Sequence, residues 1–411
     1  MGLDLLIRQG DVVDVGQRSI LPGADVGIRA GRIAEIGSDV DPHRADHVIE
    51  AAGKLVTPGL IDLHTHAFPG GGYYGLDPAT VAWRSGVTTW VDAGSAGAYT
   101  LGALRELMEA RPVRYRALLN ISAIGLAGES YESRVLENCA VEPAIACAES
   151  NMDILVGIKA RIDANTVGPN GIEPLRRARQ VSDATGLPLM VHIGAGPPTL
   201  ADIQPLLRSG DVLTHCATAV ADGVLDASGA ASELVHDLYE RGVVFDVGHG
   251  VGGFSFPVME AMLTAGLPPH TISSDLHAVS VRRVAFDLPT VLTKFLALGM
   301  DVVDVIAAAT STPATWLSST AGDLSSPGTL DVGAAADIAI FDRQPGPVVV
   351  SDAYGQTRTA PERLVNTHTI LGGLELTAPS DEHRESAIPT LDDLATPGTY
   401  PAPNTPTRQT T

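Results

Sequence analysis

The chain has 411 residues, of which 45% are hydrophobic, so it is long enough to bury a large core. Its 48 acidic residues outnumber its 27 basic ones, and the formal net charge of −21 makes nucleic acid and anionic membranes poor partners. The three cysteines, Cys139, Cys147 and Cys216, are too few and too scattered for a disulfide framework. The first residues, MGLDLLIRQGDVVDVG, lack the features of a signal peptide, so we expect a cytoplasmic protein.

Short strands are predicted at both ends of the chain. Residues 1–56 contain alternating segments rich in β-branched residues and separated by glycines, and residues 328–343 and 363–373 have the same character. Neither end is large enough to form an independent core. We therefore predict that residues 1–56 and 325–378 together form one small β-sandwich domain.

Residues 57–324 are predicted to form a (β/α)8 TIM barrel of the α/β class. Helical patterns, such as those at 100–111, 173–186 and 231–242, separate short apolar runs, as in βα units with a parallel sheet. There are eight apolar runs: GLIDLHTH, GVTTWVDAG, YRALLNISAIG, ILVGIKARI, PLMVHIG, VLTHCATA, VVFDVGHG and TISSDLHA. Eight repeats favour a closed barrel over an open sheet.

The final residues, 379–411, differ in composition from the rest of the chain. They are rich in Pro, Thr, Ser and Asp and contain few large apolar side chains. Such a segment buries too little apolar surface to offset the entropy lost on ordering. We predict a disordered tail.

Polar residues interrupt or end five of the apolar runs. They are His64 and His66 in run one, Lys159 in run four, His192 in run five, His215 in run six and Asp275 in run eight. Active-site groups of such barrels lie at the carboxyl ends of the strands, and residues two apart in a strand share a face. A single strand histidine is often only a core residue, but this ordered set predicts a metal site.

The predicted ligands exceed the needs of one tetrahedral ion, so we expect two divalent ions that share a bridging ligand, ~3.5–4 Å apart. Lys159 is unsuited to this role as an ammonium group, because two cations would repel it. A buried lysine loses its proton readily. A neutral Lys159 amine can add carbon dioxide and become an anionic carbamate, and we hypothesise that this carbamate bridges the ions.

The motifs TPGLIDLHTH, GVTTWVDAGS, GIKAR, MVHIG, LTHCATA, SSDLH and ADIAIFD resemble those of the amidohydrolase superfamily, over roughly residues 1–375. The resemblance implies a carbamylated Lys159 that bridges two metal ions, usually zinc. It also implies that Asp275 is the catalytic general acid/base beside a metal-bridging hydroxide.

Two motifs of the chain, GIKAR at 157–161 and FDVGHGVGGFSF at 245–256, resemble those of a deacetylase subgroup of that superfamily. This resemblance implies hydrolysis of an acyl ester or amide, on small acetylated α-hydroxy or α-amino acids. A cyclic amidase of the dihydroorotase or hydantoinase type is an alternative, although dihydroorotases usually carry an arginine where this chain has Phe68. A non-catalytic barrel scaffold is a second alternative, although such relatives typically lack the ligands that are present here.

Arg161 and His249 are candidate substrate-binding residues. Arg161 lies two residues after Lys159 and can bind a substrate carboxylate through two hydrogen bonds, although a surface salt bridge is the competing interpretation. His249 lies in a glycine-rich loop that allows close approach to a ligand. It either donates a hydrogen bond to the substrate or anchors the loop.

Three further side chains are predicted near the site. Tyr73 and Tyr74 follow the first metal histidines and either line the pocket or pack in a loop. His277 follows Asp275 by two residues and is either a supporting residue behind the ligands or a solvated one. The expected partner is a small, anionic substrate molecule, and the resemblance makes a homo-oligomer plausible.

Overall fold

The computed structural model describes residues 2–321 and 328–379. The described residues up to Ala378 belong to one compact unit. The predicted tail at 379–411 lies outside the described residues, apart from Pro379. No helix in the described ranges is both long enough and apolar enough to cross a bilayer.

The bounds of the secondary-structure elements are as follows. The strands are β1 (Leu3–Asp14), β2 (Ser19–Arg29), β3 (Arg32–Gly37), β4 (Ala45–Glu50), β5 (Leu55–Pro58), β6 (Leu60–Thr65), β7 (Val87–Asp92), β8 (Arg114–Asn120), β9 (Leu155–Ile162), β10 (Leu189–Ile193), β11 (Val212–Thr214), β12 (Val244–Asp246), β13 (Ile338–Ser351), β14 (Thr357–Leu371) and β15 (Leu374–Glu375). The α-helices are α1 (Ala79–Ala82), α2 (Leu101–Glu109), α3 (Val141–Glu149), α4 (Ala164–Val167), α5 (Glu173–Thr185), α6 (Leu200–Ile203), α7 (Glu233–Glu240), α8 (Phe256–Thr264), α9 (Leu288–Ala297), α10 (Val302–Ala307) and α11 (Ser311–Ala321).

Both ends of the chain contribute to one mixed sheet. Its strand order is β15-β14-β13-β5-β1-β2-β3, and β4 pairs with β1. The two ends meet where β5 runs antiparallel to β13, with Val56 opposite Ile340. Val12 and Ile28 join these two residues in one buried apolar cluster, which explains why neither end needs a core of its own. The boundaries at 1–56 and 325–378, and the two layers of a sandwich, stay predictions.

The middle of the chain forms a parallel α/β sheet. In the described residues its order is β12-β11-β10-β9-β8-β7-β6, so that each strand pairs with its neighbour in the chain. Each of the first seven predicted apolar runs contains one of these strands, to within one residue at the start of β8, and α2, α5 and α7 occupy the three predicted helical patterns. Parallel neighbouring strands need such crossover connections, because the chain must return to the same end of the sheet before the next strand begins.

The eighth predicted run differs from the others, because residues 271–276 are not assigned as a strand. They nevertheless form parallel bridges to both edges of the sheet, from Thr271 to Asp246 and from Leu276 to Thr65. The His66 amide also donates a hydrogen bond to the Leu276 carbonyl at 2.9 Å. This segment therefore lies between β12 and β6 and carries Asp275 next to the histidines of β6.

Candidate metal centre

Strand β6 is buried along its whole length and presents two histidines at its carboxyl end. His64 and His66 are 1% and 6% exposed. Their Nε2 atoms lie 3.5 Å and 3.2 Å from Oδ1 of Asp275. One potential ligand atom from each of the three residues lies within 4.8 Å of the others. The three side chains are therefore close enough to bind one cation together.

Asp275 has two features that suit a metal ligand. Its Oδ1 atom is buried and has no hydrogen-bond partner among the described residues. Its backbone has a φ of 46°, a conformation that non-glycine residues seldom adopt. Burying a carboxylate oxygen without a partner is costly, and a cation at this position would remove the cost. The residues present therefore fit a divalent metal ion.

The other predicted ligands surround His64. Lys159, on β9, is 1% exposed, and its Nζ lies 3.2 Å from Nε2 of His64 and 3.5 Å from Sδ of Met190. His215 follows β11, and its ring centroid lies 5.1 Å from that of His64 and 4.3 Å from that of His192. The structure thus brings all six predicted metal ligands into one group.

Burial sets the protonation states of this group. It lowers the pKa of His66 to about 3 and that of His215 to about 4, and it lowers the pKa values of His64 and His192 well below their usual range. Metal ligation requires neutral imidazole, so the histidines are suited to it near neutral pH. Burial also lowers the pKa of Lys159 to about 7, which makes the neutral amine available.

A hydrogen-bonded chain behind His64 fixes its orientation. The Thr214 hydroxyl lies 2.8 Å from Nδ1 of His64 and donates to Oδ2 of Asp246 at 2.7 Å. Because this hydroxyl donates to Asp246, it accepts from the Nδ1–H of His64. The Nε2 lone pair of His64 is then left for the centre. Asp246 also accepts from Thr271 and Ser273, each at 2.7 Å.

His66 and His215 are held by other partners. Nδ1 of His66 lies 2.9 Å from the Ser95 hydroxyl, and the Ser95 amide donates to Asp92 at 2.7 Å. Nδ1 of His215 lies 2.6 Å from the Gly248 carbonyl. A carbonyl can only accept, so Nδ1 of His215 carries the proton and its Nε2 is available to a metal.

The glycines after β12 let the backbone pack directly against the ligands. A Cβ atom at Gly250 would overlap Oδ2 of Asp275, and one at Gly253 would overlap Nδ1 of His215. Gly250 also has a φ of 47°, which favours glycine. The glycine-rich motif therefore has a physical role, because larger residues would displace two predicted ligands.

Arg161 lies beside the histidines, opposite His192 in the pairing of β9 with β10. Its side chain is 12% exposed, and its Nε lies 3.6 Å from Oε1 of Glu132, which is itself buried. Neither carboxylate oxygen of Glu132 has a hydrogen-bond partner in the part of the chain that is described. The guanidinium also lies 5.7 Å from the centre of the Tyr74 ring. The interaction of Arg161 is therefore a largely buried ion pair rather than a surface one.

The predicted aromatic residues, Tyr73 and Tyr74, lie on the same side of the metal centre as Arg161. The Tyr74 ring is 5.7 Å from His66 and 4.9 Å from His277, and its hydroxyl donates to the Glu129 carbonyl at 3.0 Å. The Tyr73 ring lies 5.0 Å from that of Tyr74. His277 is 2% exposed, so it is buried rather than solvated. Contacts of these residues with a substrate stay predictions.

His249 is directed toward helix α9. Its Nε2 lies 2.7 Å from Nζ of Lys294, and its Nδ1 lies 2.9 Å from the Gly250 carbonyl. Both ring nitrogens therefore have partners within the protein, which is typical of a histidine that anchors a loop. The predicted contact of His249 with a substrate stays a prediction.

Sequence reasoning missed several residues of the site. Asp92 and Asp246 end the buried strands β7 and β12, so the rule that selected the metal ligands could also have selected them. Thr214 likewise ends β11. Glu132 lies between β8 and α3, outside any strand or helix, and no local pattern marks it.

Comparisons with known proteins agree with this geometry. The sequence profile of the Amidohydrolase family matches residues 55–373. A deacetylase of Enterococcus faecalis is 33% identical over 376 residues, covering 91% of this chain and 99% of the relative. A deacetylase of Agrobacterium fabrum is 32% identical over 366 residues, covering 87% of this chain and 86% of the relative.

Two crystal structures are similar over nearly their whole length. An adenine deaminase has a TM-score of 0.82 and 33% identity, covering 91% of this chain and 99% of the other. A dihydroorotase has a TM-score of 0.79 and 31% identity, covering 91% of this chain and 98% of the other. The chain therefore belongs to the amidohydrolase family and is a metal-dependent hydrolase.

Proposed function

We propose that the protein is a deacetylase or esterase that cleaves an acyl ester or amide bond in small acetylated α-hydroxy or α-amino acids. The observation that carries the proposal is the unpartnered Oδ1 of Asp275, which faces His64 and His66 with the cationic Arg161 nearby. The names of the two deacetylases that are 33% and 32% identical support the same reaction class.

We further propose that residues 271–276 act as the eighth strand of a closed (β/α)8 barrel. The parallel bridges of this segment to β6 and β12 support closure. In such a barrel the active site lies at the carboxyl ends of the strands, where the predicted ligands are found. The closed barrel would hold Asp275 and the β6 histidines at a fixed separation.

The six predicted ligands would hold two divalent ions, for which zinc is the proposed metal. When bound, such ions polarise the scissile carbonyl and lower the pKa of water. Lys159 would serve as a bridging carbamate, formed when its neutral amine adds to the carbon of carbon dioxide and loses a proton. The deep burial of Lys159 and its lowered pKa favour that amine.

Asp275 is the proposed general acid/base. Its carboxylate takes the proton of the attacking water and then delivers it to the leaving oxygen or nitrogen. A nucleophilic cysteine is not needed. Cys216, the neighbour of His215, is fully buried, and burial raises the pKa of its thiol well above the usual range.

Arg161 is the proposed anchor for the substrate carboxylate. Its guanidinium can form two parallel hydrogen bonds to a carboxylate, and Tyr74 packs against it. Glu132 already offsets part of its charge. The preferred substrate is therefore a small anion.

We also propose that the protein is cytoplasmic, because the chain has few cysteines.

Cyclic amidase activity is the second candidate, favoured by the similarity to a dihydroorotase structure. Phe68 argues against it. This residue is 5% exposed, and its ring packs so closely under Gly71 that a Cβ atom there would overlap it. A substrate carboxylate would find no cation at this position.

A substrate panel tests the proposal. The metal-reconstituted enzyme is assayed on O-acetylated α-hydroxy acids, N-acetylated amino acids, dihydroorotate, hydantoin and adenine, with a His64→Asn variant as the control for contaminating activity. We expect kcat/KM to be highest for an acetylated acid and to be lost in the variant. Turnover of only the cyclic compounds or adenine would reject the deacetylase assignment.

A further inference from the structure

A cavity of about 690 Å³ lies outside the metal centre, between helix α9 and strands β13 and β14. Its size is within the range of small-molecule sites, roughly 300–1,000 Å³. Its cationic lining residues are Arg84, Arg283, Lys294 and Arg363. The cavity is therefore large enough for a small organic molecule and is rich in positive charge.

Negative charge in the cavity wall is sparse. Asp287 is the one acidic residue among the described lining residues. Its carboxylate accepts a hydrogen bond from the Thr290 amide at 2.8 Å, which caps α9, and it lies 3.7 Å from Nη1 of Arg84. The wall thus keeps a positive balance on a chain whose net charge is −21, and such a concave patch attracts anions.

Lys294 forms the inner wall and is only 1% exposed. Its Nζ donates to the Val284 carbonyl at 2.7 Å and contacts Nε2 of His249 at 2.7 Å. Within residues 2–321 and 328–379, no carboxylate oxygen lies within 4.0 Å of this nitrogen. Burying an ammonium without a counter-charge is costly. Burial accordingly lowers the pKa of Lys294 to about 7.

Apolar side chains line the open side of the cavity. Phe286 and Val349 are 48% and 68% exposed and lie in the same cavity wall as the cations. A ligand that carried both an anionic group and an apolar body would satisfy both parts of the wall.

We propose that this cavity is a second binding site, distinct from the metal centre, for a small organic anion with an apolar body. The anionic group lies against Lys294 and Arg363, and the apolar body covers Phe286 and Val349. A bound anion supplies a counter-charge in direct contact with Lys294, whereas the charges of Asp352 and Asp287 act on it only from a longer distance. This proposal does not depend on which ester or amide the metal centre hydrolyses.

The first test locates a ligand directly. Crystals of the metal-loaded enzyme are soaked in 4-iodobenzoate, and the iodine is located by anomalous scattering. We expect an iodine peak in the cavity, whether or not a second molecule binds at the metal centre. A peak at the metal centre alone, or no peak, would overturn the proposal.

The second test measures affinity by calorimetry. Arg363→Gln should weaken binding of 4-iodobenzoate at the cavity by up to about fivefold, since a partly exposed ion pair contributes up to about 1 kcal/mol. Arg105→Gln, which removes the same charge from α2, should leave it unchanged, and neutral 4-iodobenzyl alcohol should bind more weakly. Equal affinity of the Arg363→Gln variant and the wild type, or of the acid and the alcohol, would contradict the proposal.

Discussion

At Asp275 a strained backbone and an unpartnered buried oxygen occur in the same residue. Asp275→Asn keeps the shape of the side chain but removes its ability to accept a proton. We expect kcat to fall by roughly 10²–10⁴-fold, the usual contribution of general acid–base catalysis. Steady-state kinetics on the best acetylated substrate measures the effect, and circular dichroism serves as the control for folding. Activity within a few fold of the wild type would remove Asp275 from the proton-transfer role.

Substitutions of Arg161 and of Glu132 are expected to have opposite effects on substrate binding. Arg161→Met should raise KM for anionic substrates by about tenfold or more, because a charged hydrogen bond contributes roughly 1.5–3 kcal/mol. Glu132→Gln should lower KM for the same substrates, because the Arg161 guanidinium then loses its buried counter-charge. A neutral acetyl ester, assayed in parallel, should respond much less to either change. If both variants shift KM in the same direction on both substrates, the pair has only a structural role.

At the scale of a single element, the end of strand β11 carries Thr214, whose hydroxyl orients the His64 ring. Thr214 and Thr271 both donate to Asp246, but only Thr214 also contacts His64. We expect Thr214→Val to weaken metal affinity by about 10–100-fold, as removal of such supporting groups does. Thr271→Val is the matched control and should have a smaller effect. Competition with a chelator measures the metal affinity of both variants. Equal losses of affinity would refute the role of the hydrogen bonds that link Asp246, Thr214 and His64.

In the glycine-rich loop after β12, alanine substitutions at Gly250 and Gly252 are expected to differ in their effect on activity. Gly250→Ala introduces a Cβ that overlaps the Asp275 carboxylate, in a backbone conformation that disfavours alanine. We expect a loss of kcat of at least about tenfold, because small displacements of reacting groups are costly. Gly252→Ala in the same loop meets no atom within 4 Å and should retain activity. Similar kinetics of the two variants would show that close packing against Asp275 is unimportant.

The elements show how far sequence reasoning reaches. The apolar runs located β6 to β12, because burial on both faces of a parallel strand leaves a continuous apolar signature. Run eight contains Asp275 but is not an assigned strand, because its pairing is limited to isolated bridges. Side-chain partners such as Thr214 with His64 span 150 residues, and no local pattern encodes them. The residues that the structure brings together at the centre were therefore predictable, whereas the network that orients them was not.

At the scale of the whole molecule, the buried Lys294 couples folding stability to pH. The burial of its ammonium lowers its pKa from 10.5 to about 7, and the charges of Asp352 and Asp287 partly oppose this shift. Between these pH values the unfolded chain binds more protons than the folded one, so this residue makes stability rise with pH. The free energy of unfolding of the wild type, minus that of Lys294→Met, should therefore increase from pH 7 to pH 10. Urea titrations measure it, and a flat or falling difference would contradict the assignment.

The pairing of the two chain ends in one sheet was also predictable, because each end is too small to form its own core. Neither terminal segment can bury enough apolar surface alone, and the two share a cluster in which Val56 of β5 faces Ile340 of β13. The cavity beside α9 was not predictable. Its walls come from Arg84, Lys294 and Arg363, which lie far apart in sequence and share no periodic pattern.

Metal content is the most direct test of the central claim that His64, His66, Lys159, His192, His215 and Asp275 hold the catalytic ions. Inductively coupled plasma mass spectrometry of the active, metal-reconstituted enzyme should give about two divalent ions per chain, as in binuclear hydrolases. The ratio and the hydrolytic activity should fall together in His64→Asn and Lys159→Ala. Full activity without bound metal, or unchanged metal content in both variants, would contradict the account.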